Sequence, residues 1–413
     1  MAHLEPFRGL RPRRDIAPSV AAPPYDVLSS EEAREMAGTN PHSFLHIGKP
    51  EIDLPPGTDP HSDEVYAKGK ENFERFVREG ILIQDPRRSF YVYKQIWGKH
   101  VQTGLVAAAS CQDYLDNVIK KHELTRPDKE NDRMRHIETL GAQTGPVFLT
   151  YRAVGAIDAL IEEATAREPE YDFPTSDSVR HVFTLVNEDR IIRSLREEFA
   201  ALDVLYIADG HHRSAAATRI KVRRQKENPD HTGKEEYNFF LAVIFPHDQV
   251  KILPYNRVVK DLNGLPNESF LQKVSRNFVV RPGGRKTPAR AKHFSMFLAG
   301  AWYALKAKPG TYDPADPVAS LDVAILQANL LAPILGVADP RTDKRIDFVG
   351  GIRGTAGLEK RVREGDFQVA FSLFPTTVDQ LFSVAEQGKT MPPKSTWFEP
   401  KLKDGLAVHL IDE

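Results

Sequence analysis

Apolar positions along the chain fall into short runs, broken by charged or proline-rich stretches, and the runs switch between strand-like and helix-like periods. Residues 89–96 and 101–111 are rich in strand formers and flank Gly98, which predicts a hairpin. Residues 143–151 predict a buried strand with a turn at Gly145-Pro146, and 179–185 and 239–245 predict two more. Helical spacing dominates 62–80, where Val65, Phe73, Phe76 and Val77 share a face before Gly80, and recurs at 156–166 and 187–199. Ser29 followed by Glu31 and Glu32 is a helix-opening signal. Residues 40–47 read as a turn and a short strand, 49–63 as an exposed loop and 225–237 as a charged loop.

Beyond residue 246 the pattern is coarser. It predicts extended chain at 251–259, a helix near 267–276, strands at 278–281 and 301–307, and a helix over 316–331. A strand at 345–351, a helix at 358–364, a strand at 368–375 and a helix at 377–386 follow. Strands alternate with helices and include a hairpin, so the expected class is mixed α/β with a mixed sheet. The expected division is a core domain over 1–245 and a second α+β domain over 246–413, whose C-terminal loop returns to the site.

The stretch that concentrates chemistry is 202–222. Val204 to Ile207 form an apolar strand run, Asp209-Gly210 break it, and an alanine-rich helical pattern follows. Asp209, Gly210, His211, His212 and Arg213 sit at the seam. A strand feeding a helix through glycine aims backbone N–H groups at one spot, where the helix dipole favours an anion. Arg213 adds a planar fork suited to phosphate or carboxylate. Asp209 could be only a helix cap, but five such residues in a row at the carboxyl end of an apolar strand favour a ligand site.

Three other stretches add candidates. Residues 122–127 place His122, Glu123 and Thr125 beside the stiff Arg126-Pro127 bend, a placement suited to a general base. Tyr25 and Asp26 follow a Pro-Pro pair and form either a structural loop or the wall of a site. Lys394, Ser395 and Thr396 follow Pro392-Pro393, which is either a phosphate-binding loop or an ordinary one. The glycines of a Walker loop are missing.

Composition then narrows the classes. Lys plus Arg number 56 against 57 Asp plus Glu, so the net charge of −1 offers no field for recruiting nucleic acid or an anionic membrane. The single cysteine, Cys111, excludes an intrachain disulfide and a cysteine metal cluster. No apolar run suggests a secretory signal or a membrane span, so a cytoplasmic protein is expected. HExxH, GxGxxG and GxSxG are all missing. His211 and His212 are adjacent, which is poor chelating geometry, so no metal-ligand set is expected.

The stretches APPYDV (22–27), HELTRP (122–127), ADGHHRSAA (208–216) and MPPKSTWFEPKLKDGL (391–406) resemble, in order, the signatures of the prokaryotic domain-of-unknown-function family 1015. Separately, the ADGHHR turn is similar to the DGH-x-R turn of the ParB/sulfiredoxin-like superfamily, which includes free serine kinases. That resemblance implies a ParB/sulfiredoxin-like core whose turn cradles nucleotide phosphate. It makes Asp209, His211 and His212 catalytic candidates, with Gly210 and Arg213 on the phosphate; the base of the free serine kinases is a glutamate upstream of the turn, and Glu123, which no motif aligns, is the candidate counterpart. Lys394, Ser395 and Thr396 have no match in the kinases; on their own chemistry they would bind phosphate, and His122, Thr125 and Tyr25 the substrate.

The function expected is a serine kinase-like phosphotransferase that moves phosphoryl from ATP or ADP, with Mg²⁺, to a small hydroxyl acceptor. A ParB-like nucleotide-binding regulator is the alternative, as is a phosphatase or nuclease on the same anion site. The expected partners are nucleotide and small-molecule substrate. Membrane is excluded and nucleic acid disfavoured, while a homodimer stays open.

Overall fold

The structure is a computed structural model that describes residues 1–412. The chain forms two compact units, one of Met1–Val250 with Pro400–Glu413, the other of Lys251–Glu399. The C-terminal segment, read from sequence as part of the second domain, thus belongs to the first unit.

The first unit carries a nine-stranded mixed sheet. Its order runs Ile119–Lys120, Leu205–Asp209, Val147–Tyr151, Phe239–Pro246, His100–Ser110, Phe90–Trp97, Val179–Val186, Tyr171–Pro174, with Leu4–Glu5 pairing beside His100–Ser110. The expected hairpin is present, with Trp97 opposite His100 and Tyr91 opposite Val106. Two pairings are parallel: Ile119–Lys120 with Leu205–Asp209, and Val147–Tyr151 with Phe239–Pro246. The central strands are buried on both faces and therefore read as unbroken apolar runs. Ile191, Leu195 and Phe199, at helical spacing on Asp189–Ala200, pack with Ile157 and Ile161 of Gly155–Ala164 against Leu149, Leu205 and Ile207 of the sheet. Each such side chain contributes about 1.5–3 kcal/mol by leaving water. A second cluster joins Phe44, Phe73, Phe76 and Leu140 to Val408 of the returning C-terminal segment.

The second unit is built on a six-stranded, wholly antiparallel sheet. Its order is Phe278–Pro282, Ala301–Ala307, His293–Leu298, Val369–Leu373, Tyr255–Val259, Ile346–Gly350. Helix Gly354–Arg363 covers it through Leu358, against Val258, Phe297 and Ala370. The mixed α/β class and the α+β C-terminal region are as expected. Among the described residues, no helix is long and apolar enough to cross a membrane.

Several local expectations are corrected. Residues 40–47 end in a helical turn, Leu45–Gly48, because Leu45 and Ile47 are buried while the His46 ring bonds the Asn40 carbonyl (3.0 Å) and Asp53 (2.7 Å). Within 49–63, Pro50, Glu51 and Ile52 are buried in a 3-10 turn instead of lying exposed. Val77 stands 44% exposed, off the buried face of its helix. The helix after the Asp209 turn runs to Glu227, since Arg223 and Arg224 find Glu138 and Asp412 and need no loop to solvate them. Helix 316–331 starts only at Asp322 and widens to a π-turn at Gln327–Leu331, because Asp316 accepts from the Val318 and Ala319 amides and turns the chain first. Strand His293–Leu298 has no counterpart in the sequence pattern, because five of its six residues are buried and it shows no alternation.

Candidate functional site

The Leu205–Asp209 strand ends in a bulge. Ile207 pairs with Leu149 and Asp209 with Phe148, so Ala208 has no partner. Such an extra residue turns the following side chain, here Asp209. Gly210 then takes φ 97° and ψ 29°, a left-handed conformation. A Cβ there would stand 3.2 Å from the Arg213 guanidinium and 3.3 Å from Val147 Cα. Gly210→Ala is therefore expected to cost about 1–3 kcal/mol, read as a lower thermal midpoint with the fold kept. Helix His211–Glu227 starts on this glycine with no side-chain cap, so Asp209 is not the cap.

Asp209 faces two cations. Its Oδ2 lies 2.8 Å from Lys401 Nζ and its Oδ1 3.8 Å from Arg213. Burial would push this carboxyl up, but Lys401 and Arg213 outweigh burial and hold it well below the usual carboxylate range. Lys401 comes from the returning C-terminal segment, in the same motif as Lys394. In sequence Lys401 lies in the charged stretch Glu399-Pro400-Lys401-Leu402-Lys403-Asp404, which carries no local sign of a site.

Arg213 is buried. It donates to the Pro146 carbonyl, and its Nε has no acceptor among the described residues. It reaches Asp26 only at 3.9 Å. Burial opposes its charge, but Asp26, Asp209 and Asp404 favour it more strongly. Asp404 is buried, its Oδ1 has no partner among the described residues, and burial pushes it up to about 7. Arg213, Asp404, Gly145 and Tyr25 line a cavity of about 30 Å³, room for about one water. Arg133 stacks 3.7 Å over the Tyr25 ring.

The two adjacent histidines diverge. The His212 Nε2 accepts from the Arg126 backbone N–H at 3.2 Å. His211 turns inward, its Nδ1 4.0 Å from Glu123 Oε2 and its ring perpendicular to His122 at 4.5 Å. Parallel pairing of Ile119–Lys120 with Leu205 and Tyr206 brings residues 122 and 123 to the turn. Burial drives His211 down to about 3 and His122 well below 6.5, so both rings are neutral. The expectation of no metal-ligand set rests on local motifs and on the adjacent pair, which carry no information on contacts between distant segments. The fold instead gathers His122, Glu123 and His211, whose ligand atoms lie within 4.8 Å of one another. Thr125 is engaged elsewhere, donating to Glu130.

Lys394, Ser395 and Thr396 belong to the second unit. There Arg257 holds the Lys394 carbonyl at 2.9 Å, Thr376 donates to the Ser395 carbonyl at 2.9 Å, and the Ser395 hydroxyl donates to Pro392. Lys394 has φ 56° and its ammonium sits 5.6 Å from the Tyr255 ring centroid. Ser395 is buried with its hydroxyl engaged, so it offers a ligand less than its sequence position suggested.

Fold and site together define a mixed α/β protein organised on a bulged strand, a left-handed glycine and an uncapped helix that gather charged groups. The chain belongs to the family described as protein of unknown function (DUF1015), which it matches over residues 4–324. That span holds the 122–127 and 208–216 motifs, while Lys401 and Asp404 lie beyond it. No curated protein matches the chain.

Solved structures that resemble it include a free serine kinase mutant in complex with ADP. It has 13% identity and a TM-score of 0.38, covering 76% of this chain and 95% of that one. SbnI with C-terminal truncation, from Staphylococcus aureus, has 12% identity and a TM-score of 0.41, covering 74% and 87%. A conserved hypothetical protein from Pyrococcus furiosus has 14% identity and a TM-score of 0.37, covering 76% and 98%.

Proposed function

We propose that this protein is a small-molecule phosphotransferase, serine kinase-like, that moves phosphoryl from ATP or ADP to a hydroxyl acceptor. The observation that carries the reading is Arg213. It is a buried guanidinium with an unmatched Nε donor and loose 3.8 and 3.9 Å carboxylate contacts, at the start of an uncapped helix. A charged donor so placed suits an anion that completes its hydrogen bonds. Lys401 adds a second cation on Asp209. Phosphoryl transfer asks mainly for positioning and charge stabilisation, which these groups supply.

In this reading Glu123, half-buried at the rim, takes the acceptor's hydroxyl proton. His211 is neutral and serves as a hydrogen-bonding group, not as a cation. Mg²⁺ does not fit at Asp209 as placed, since Lys401 occupies Oδ2; no step is assigned to it.

The test incubates the purified protein with labelled ATP or ADP and L-serine, and looks for phosphoserine. Glu123→Gln is expected to lower turnover about 10²–10⁴-fold with nucleotide binding retained. Nucleotide retention without any product would instead favour a binding or regulatory module.

A further inference from the structure

We propose that His122, Glu123 and His211 form a binding site for one divalent transition cation, with Zn²⁺ as the best match. The three residues come from two chain segments that the parallel strand pair brings side by side. One atom from each lies within 4.8 Å of the others, and the imidazole rings meet at a right angle, 4.5 Å between centroids. Bonds of about 2.0–2.2 Å to each ligand place neighbouring ligand atoms about 3–3.5 Å apart. Closing on a cation therefore takes side-chain movements of about an ångström.

A second observation is independent of this clustering. Both ring nitrogens of the buried His122, and Nε2 of the buried His211, have no partner at hydrogen-bond geometry among the described residues. Buried polar atoms are ordinarily satisfied, and three orphaned imidazole nitrogens at one place call for a bound group. The Ile207 carbonyl faces the His122 ring and favours its protonated form, although the contact falls outside normal hydrogen-bond geometry. A small rotation would let one ring nitrogen donate to it and turn the other, as lone pair, toward the cation, which is how metal-binding histidines are usually oriented.

The donor set decides the metal class. Two imidazoles and one carboxylate suit Zn²⁺, Mn²⁺ or Fe²⁺, whereas Mg²⁺ and Ca²⁺ take oxygen ligands. The Glu123 side chain is 36% exposed, so the site is reachable from solvent through this residue. Ligation uses one carboxylate oxygen and leaves the other. The inference does not rest on the phosphotransferase reading, because the site is defined by its ligands alone.

The experiment strips the full-length protein with chelator. It is then dialysed separately against Zn²⁺, Mn²⁺ and Mg²⁺, and bound metal is counted by mass spectrometry. One equivalent of Zn²⁺ or Mn²⁺, with Mg²⁺ well below it, is expected. His122→Phe fills the buried space without a lone pair, and Glu123→Gln changes a rim residue with little risk to folding. Each should weaken Zn²⁺ binding by about tenfold or more, while His42→Gln should bind as the parent does. Co²⁺ loaded in place of Zn²⁺ should give visible ligand-field bands that both site variants lose. Metal content well under one equivalent in the parent, or full retention in both site variants, overturns the proposal. Phosphoserine formation is read separately, so either idea can fail alone.

Discussion

Arg213→Met is expected to destabilise the first unit by about 3–5 kcal/mol, the usual consequence of removing one member of a buried charged cluster. The side chain is 9% exposed and lies among Asp26, Asp209 and Asp404. Asp209 would keep Lys401, at 2.8 Å. Asp404 would lose the cation that most lowers its pKa, and the Pro146 carbonyl would lose its donor. Methionine fills much of the volume, so the loss reports charge and hydrogen bonding more than a cavity. Arg213→Lys keeps the charge without the planar fork and should fall between, at about 1–2 kcal/mol. Two compact units make a single unfolding free energy ill-defined. The measurement is therefore amide hydrogen exchange of the Leu205–Asp209 strand. Unchanged protection there in Arg213→Met would remove Arg213 from the centre of the site. Under the proposed function the same variant also loses nucleotide binding.

The strand, glycine and helix around Asp209 were legible in sequence because three local signals agreed: an apolar run, a Gly break and an alanine-rich helical pattern. What the turn does with its side chains was not legible. The bulge at Ala208 depends on the register against Leu149 and Phe148, which no local pattern encodes. The cluster of His122 with His211 needs a parallel pairing of a two-residue strand, Ile119–Lys120, too short to show periodicity. In the motif at 391–406 the residue that stands out in sequence is Lys394, with its neighbouring hydroxyls. Lys401, in the segment that rejoins the first unit, is the one that meets Asp209. Adjacent polar residues advertise themselves in a sequence, whereas a lysine or aspartate buried between apolar neighbours looks like surface. Asp404 is the sharpest case, a carboxylate in a charged run that proves buried.

Asp404→Asn is expected to stabilise the protein most at pH 8, by progressively less as the pH falls, and little below about pH 4. Burial raises this carboxyl from 3.8 to about 7; Arg213, Arg133 and Lys403 oppose the rise, and Asp26 adds to it. Unfolded, the group titrates near 3.9. Between about pH 4 and 7 the folded state therefore holds a proton that the unfolded state has released, and stability falls as pH rises across that window. Above it the folded protein carries a buried carboxylate whose Oδ1 has no partner among the described residues. A rise of about three pH units at 1.36 kcal/mol each sets the penalty at roughly 4 kcal/mol at most. Asparagine keeps the shape and stays neutral, so it removes the slope. The Ala22–Asp404 backbone pair, at 2.8 and 3.1 Å, is retained. Thermal midpoints of both proteins from pH 4.5 to 8.5 decide the matter: parallel curves would show that Asp404 is ionised throughout, and a gap that opens with rising pH is the expected result. The same titration bears on the site, because a neutral Asp404 leaves Arg213 with one carboxylate fewer to balance. Anion binding at Arg213 should therefore be tighter in the parent below pH 7 than above it, and Asp404→Asn should hold the tighter value across the range.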